Sequence, residues 1–160
     1  MSLFISLTVI MALLGSALIA GVFFAFSSFI MKALARLPSS EGMAAMQSIN
    51  VAVINPVFLG AFMGTAIVFL IVVVLAIMSW ESASAAYYLV GAVLYIVGTF
   101  MVTGLGNVPL NNKLASTEIT DSTANAIWQH YLKRWTQLNT LRTVCSLAAA
   151  MVLLVGFIGD

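Results

Sequence analysis

The sequence predicts an all-α integral membrane protein: a bundle of four transmembrane helices, with a short interfacial helix after the first crossing and an extended start to the fourth. Three observations carry this reading. Hydrophobic residues make up 62% of the 160 residues and charged residues 7%, whereas a soluble domain of this size needs roughly 25% charged residues to coat its surface. The apolar residues gather in four runs, 3–31, 57–80, 87–110 and 138–158, and about 20 helical residues suffice to cross a hydrocarbon core about 30 Å thick. The two polar connections, 32–56 and 111–137, are too short to fold alone, so residues 1–160 are expected to form one membrane domain.

The first run competes with a signal peptide, but it has no basic segment before it and runs well past the roughly 7–15 residues of a signal-peptide core, so a mature membrane helix is expected. After it, Ser39-Ser40-Glu41-Gly42 offers a cap followed by Met43, Met46, Ile49 and Val53 at roughly helical spacing, the pattern of a short interfacial helix. Asn55-Pro56 suits the start of the second crossing, since proline is favoured in a first turn. The third run ends in Asn107-Val108-Pro109-Leu110-Asn111-Asn112. Pro109 cannot donate to the carbonyl of Leu105 if the helix continues, and Asn107 and Asn111 are suited to bracing such a break. Thr120-Asp121-Ser122 can cap a helix through Ala126, Trp128, Tyr131, Leu132 and Trp135 that flows into the fourth crossing. Small residues in register, Ala17, Gly21 and Ala25, then Gly60 and Gly64, then Gly91 and Gly98, read as faces on which the helices pack, with a homo-oligomer contact as the alternative use of the same stripes.

Lys32 and Arg36 lie in the first polar connection and Lys113, Lys133 and Arg134 in the second, while the opposite side carries Glu81, Asp160 and the amino terminus. The excess of cations in these connections predicts a protein of the inner (plasma) membrane with both connections cytoplasmic and both termini outside. A net charge of +1 with no basic run excludes a nucleic-acid partner; the lipid bilayer is the expected surrounding. Cys145 is the one cysteine, so no intramolecular disulfide or cysteine-rich metal site can form, and no metal site is predicted.

Chemistry is sought along the last helix. Trp128, Trp135, Asn139, Arg142 and Ser146 are separated by seven, four, three and four residues, which puts them on one face. A polar and aromatic stripe in an apolar helix should face protein or a water-filled cavity. Arg142, four residues beyond Leu138 and so about 6 Å into the crossing, is either a functional intramembrane cation or an arginine that snorkels to the headgroups. Ser27, Asn55, Asn107 and Asn111 fall at the same end of their runs. They either cap helix ends or join Arg142 in a lipid-accessible pocket, in which the cation binds an anionic oxygen and Trp128 and Trp135 stack on a flat ring. Each tryptophan alone also fits an interfacial anchor. Ion transport is disfavoured, since no crossing contains a central acid or a row of charges.

Gly21-Val22-Phe23-Phe24-Ala25-Phe26-Ser27, Leu37-Pro38, Met46-Gln47-Ser48-Ile49-Asn50, Asn55-Pro56, Asn107-Val108-Pro109-Leu110-Asn111 and the ending Trp128, Tyr131, Trp135, Asn139, Arg142, Thr143 resemble the anthrone oxygenase-like family of small four-helix membrane proteins. The resemblance covers nearly the whole chain. It implies oxidation of a hydrophobic polyketide-type aromatic with dioxygen as co-substrate and no metal or flavin cofactor. On that reading Arg142, with Asn139 and Asn111 as neutral donors, would stabilise an oxyanion, and His130 or Tyr131 would be the candidates for moving a proton. Trp128, Trp135, Tyr131, Asn107, Asn55 and Ser27 would line the substrate. The competing readings are a non-enzymatic module that binds a quinone, lipid or other hydrophobic ligand, and a structural partner subunit.

Overall fold

A computed structural model describes residues 2–120 and 122–159. It is 86% helical and contains no strand among those residues. Five helices follow in order: α1 (Leu3–Leu34), α2 (Ser39–Ala52), α3 (Pro56–Met78), α4 (Ala85–Ala115) and α5 (Ala124–Ile158). All but α2 are long and apolar enough to cross a membrane, and the protein is an integral membrane protein. The extended start of the last crossing is present, because α5 runs for 35 residues without a break.

Each helix begins or ends for a local reason. Ser2 accepts a hydrogen bond from the amide of Ile5 at the start of α1. Asn55 caps α3, its Oδ1 accepting from the amides of Val57 and Phe58 at 3.0 Å each, with Pro56 in the first turn where no amide is missed. α2 starts at Ser39 with Pro38 before it and without a side-chain cap; the hydroxyl of Ser39 instead donates to Asn125 Oδ1 on α5 at 2.8 Å. The expected cap of α5 involves Asp121, which lies outside the described residues; the helix itself begins at Ala124.

The crossings form a ring in which α1 packs on α3 and α5, and α4 packs on the same two helices. One half of the core is apolar: Ile19, Phe62, Phe69, Val72, Tyr95 and Leu153 interlock, and the rings of Phe69 and Tyr95 stack at 4.6 Å. The other half lies toward α2, where Met31, Met43, Met46 and Leu114 pack around Trp128, Tyr131 and Trp135. α2 is tied to the end of α4 by Gln47, whose amide donates to the carbonyls of Leu114 and Thr117; helix-end carbonyls have no partner within their own helix. Leu14, Leu18, Ile67, Val74, Val93, Val144 and Met151 point outward and are exposed, the surface that a bilayer covers.

Two expectations about packing are corrected. Ala17 and Gly21 on α1 and Gly60 on α3 are exposed, and a Cβ at Gly21, Gly60 or Gly64 would meet nothing within 4 Å. These stripes therefore pack no helix of this chain. The expected face at Gly91 and Gly98 does pack, against Leu153 and Cys145 respectively, and a close approach not expected occurs at Gly42, against the ring of Trp128 and the carbonyl of Leu34. In addition, α1 and α4 depart from α-helical hydrogen bonding, with π turns at Phe26–Ile30, Ile96–Met101 and Thr103–Asn107. Ahead of Pro109 the amide of Val108 reaches back five residues to the carbonyl of Thr103, so the helix passes the proline by changing register rather than by an asparagine brace.

Candidate functional site

Arg142 sits inside the bundle at 3% exposure. Its Nη1 donates to Thr103 Oγ1 of α4 at 3.0 Å and its Nη2 to Asn139 Oδ1, one turn away, at 2.7 Å. The guanidinium carbon lies 4.0 Å from the centre of the Phe23 ring and 5.4 Å from that of Trp135, so two aromatic faces take the place of water around the cation. No carboxylate of a described residue pairs with it. A buried cation without a counter-ion is costly and persists only where neutral donors and rings hold it. Its Nε and the Oδ1 of Asn107 are buried without a hydrogen-bond partner.

Asn139 connects this cation to the wall of the bundle. Its Nδ2 donates to the Phe23 carbonyl at 2.7 Å and to Ser27 Oγ at 2.6 Å, where α1 opens into its π turn. Thr140 Oγ1 lies 3.0 Å from Ser27 Oγ and 2.9 Å from the Thr136 carbonyl, and its single proton serves either that carbonyl or Ser27. Ser27 lines an open groove of about 670 Å³ between α1 and α5, with Met31 and Leu132 as apolar walls and Lys32 and Lys133 as cations.

The aromatic stripe is brought together as a column. Trp128, Tyr131 and Trp135 stack at 5.8 and 6.0 Å, and Trp128 and Trp135 are 1% and 5% exposed. Asn111 Oδ1 accepts from both the Tyr131 hydroxyl and Trp135 Nε1 at 2.8 Å, and Asn107 Nδ2 donates to the Trp135 carbonyl at 3.2 Å. Their ring faces are occupied by protein, so neither tryptophan is an interfacial anchor, and neither offers a free face to a ligand. Asn107 and Asn111 bridge α4 to α5 rather than brace the proline break. The lipid-accessible pocket expected around Arg142 is packed shut, and the open space lies beside it, behind Ser27.

Two predicted residues stand apart. Asn55 spends its side chain capping α3, its Nδ2 donating to the Ala52 carbonyl at 2.9 Å. His130 is exposed and lines a second groove, between α4 and α5, with Arg134 and Lys113. Ser146 extends the buried stripe away from α2, sharing a hydrogen bond of 2.8 Å with Thr99, while its carbonyl accepts from Ser16 at 2.7 Å. Sequence reasoning missed Phe23, Thr99, Thr103 and Thr140. Thr99 and Thr103 carry a legible signal, two hydroxyls one turn apart in an apolar helix, which should share a face.

Among the described residues no three His, Cys, Asp or Glu side chains come together as a metal-ligand set. No curated protein and no solved structure matches the chain. The family model for anthrone oxygenase matches residues 56–152, a segment that contains Asn107, Asn111, Trp135, Asn139 and Arg142 and leaves the α1 motif around Ser27 outside. That segment is more than half of the chain, and the protein belongs to the anthrone oxygenase family.

Proposed function

We propose that the protein oxidises a hydrophobic phenolic aromatic, with an anthrone as the type case, using dioxygen at the groove between α1 and α5. The observation that carries this reading is the hydrogen-bond chain from Arg142 through Asn139 to Ser27. A cation without a counter-ion polarises the Asn139 amide, which in turn polarises the Ser27 hydroxyl at the groove wall. Such a chain favours an anion at the groove wall. An anthrone that loses its benzylic proton becomes an aryloxide, and the Ser27 O–H would hold that oxygen, with Lys32 and Lys133 adding positive potential. Among the described residues no imidazole or carboxylate lines this groove, and on this reading the proton passes to water as the anion is stabilised. The electron-rich anion gives one electron to dioxygen, and recombination forms the new C–O bond. Loss of water leaves the quinone carbonyl, so that anthrone and dioxygen become anthraquinone and one water. On this reading dioxygen is the co-substrate and no metal or flavin takes part. Trp128 and Trp135 support the wall without touching substrate, and His130 takes no part.

Purified protein in detergent, incubated with an anthrone against empty micelles, should take up dioxygen and form anthraquinone above the spontaneous rate. Arg142→Leu and Ser27→Ala should each lower the excess rate by about 10²-fold, the usual effect of losing one oxyanion donor. Arg142→Lys, which keeps the charge, should recover part of it. A rate equal to empty micelles in the folded wild-type protein sinks the oxidase reading for this substrate class. Retained binding of the anthrone under that outcome would favour the rival reading, a binding module for a quinone-like ligand that uses the same groove.

A further inference from the structure

The second groove, of about 680 Å³, lies on the other side of α5, between it and α4. Its α4 wall carries a ridge of residues four apart, Val97, Met101, Leu105, Pro109 and Lys113, with Val102, Gly106 and Leu110 beside it. Its α5 wall is a second ridge at the same spacing, Leu138, Arg134 and His130. The two helices run in opposite directions, so both ridges are apolar toward the middle of the bundle and basic toward the α2 end. Val97, Met101 and Leu105 are 50%, 45% and 76% exposed, and Lys113, His130 and Arg134 are exposed as well. No carboxylate lines the groove among the described residues. Nothing in the proposed oxidation uses it.

We propose that this groove holds one anionic phospholipid, its phosphate between Lys113, His130 and Arg134 and an acyl chain along Val97, Met101, Leu105 and Leu138. Size and charge both fit this occupant. Val97 and Lys113 are 16 residues apart, at most about 24 Å along a helix and less with the π turns between them, and one leaflet with its headgroup region is about 20–22 Å thick. Three basic side chains with no acid beside them complement a phosphodiester, and the apolar ridges continue from them in the direction an acyl chain takes. An uncharged ligand would leave the basic rim unused, and a free anion would leave the apolar floor unused.

The test is lipid retention measured by native mass spectrometry on protein purified from mixed vesicles of phosphatidylglycerol and phosphatidylcholine. The wild-type chain should keep one phosphatidylglycerol in preference to phosphatidylcholine. Lys113→Gln with His130→Gln and Arg134→Gln should weaken that retention by about 30-fold, at roughly fivefold for each interfacial Lys or Arg. Lys32→Gln with Lys133→Gln, in the other groove, should leave it unchanged. Leu105→Trp, which fills the apolar floor and keeps the rim, should also lose the lipid, and this variant decides the matter if the triple substitution does not fold. Equal retention of both lipids, retention unchanged in the folded rim or floor variant, or displacement by millimolar inorganic phosphate would each overturn the assignment.

Discussion

Asn111 shows how a single residue holds the aromatic column in place. One oxygen accepts from the hydroxyl of Tyr131 and the indole of Trp135, and Tyr131 is further met by the Asn50 amide at 3.4 Å. Asn111→Ala would leave two donors in a region closed to water, each costing about 1–3 kcal/mol when unsatisfied. The expected outcome is a lower thermal midpoint in detergent and a shift in tryptophan emission as Trp135 loosens. An unchanged midpoint would mean that water replaces the amide. Arg142 differs in kind, since its neighbours Thr103, Asn139, Phe23 and Trp135 hold it without neutralising it and leave its Nε without a partner. Its intervals from Trp135, Asn139 and Ser146 made the shared face legible in the sequence, because helical spacing alone fixes which side chains align. What those side chains do to one another was not legible. Spacing is the same for a ring that stacks on a ligand and a ring that stacks on its neighbour, and only the closeness of α2, allowed by Gly42 beneath Trp128, decides between them.

At the scale of elements, the four apolar runs announced the crossings because length and hydropathy are set by the bilayer. The packing faces were less legible. Small residues are frequent in membrane helices, so a stripe such as Ala17, Gly21 and Ala25 carries no sign of which way it turns; the inward face of α1 carries another small stripe, Ala12, Ser16 and Ala20, with Ile19 and Phe23 beside it. The π turns were also invisible, since hydrogen-bond register leaves no mark in composition. A π turn holds one residue more than an α turn, and this gives a test. Deleting Phe29, which is exposed inside the turn Phe26–Ile30, should let the helix close with α bonds while Phe23 before it and Met31 after it keep their directions. Deleting Leu18, exposed in a regular turn, should rotate one side of α1 by about 100° against the other. The Phe29 deletion is expected to yield monodisperse protein with a midpoint near that of the parent, and the Leu18 deletion to aggregate. Equal damage from both would show that the extra residue in α1 cannot be absorbed.

For the whole molecule, four crossings require that both polar connections emerge on the same side, and the protein gathers its distinctive features there: α2, the aromatic column, both grooves and every lysine. Lys32, Arg36, Lys113, Lys133 and Arg134 all lie in or beside these connections, whereas the short turn between α3 and α4 carries Glu81. The bias of cations toward the cytoplasm predicts that the α2 end lies inside the cell. In a Cys145→Ser background, Glu81→Cys should react with a membrane-impermeant maleimide added to intact cells, while Ser40→Cys and Ser116→Cys, exposed in their connections, should react only after the membrane is opened. The reverse pattern would turn the bundle over. Both grooves would then open at the outer leaflet, and an aromatic substrate made in the cytoplasm would have to cross the membrane before meeting Ser27.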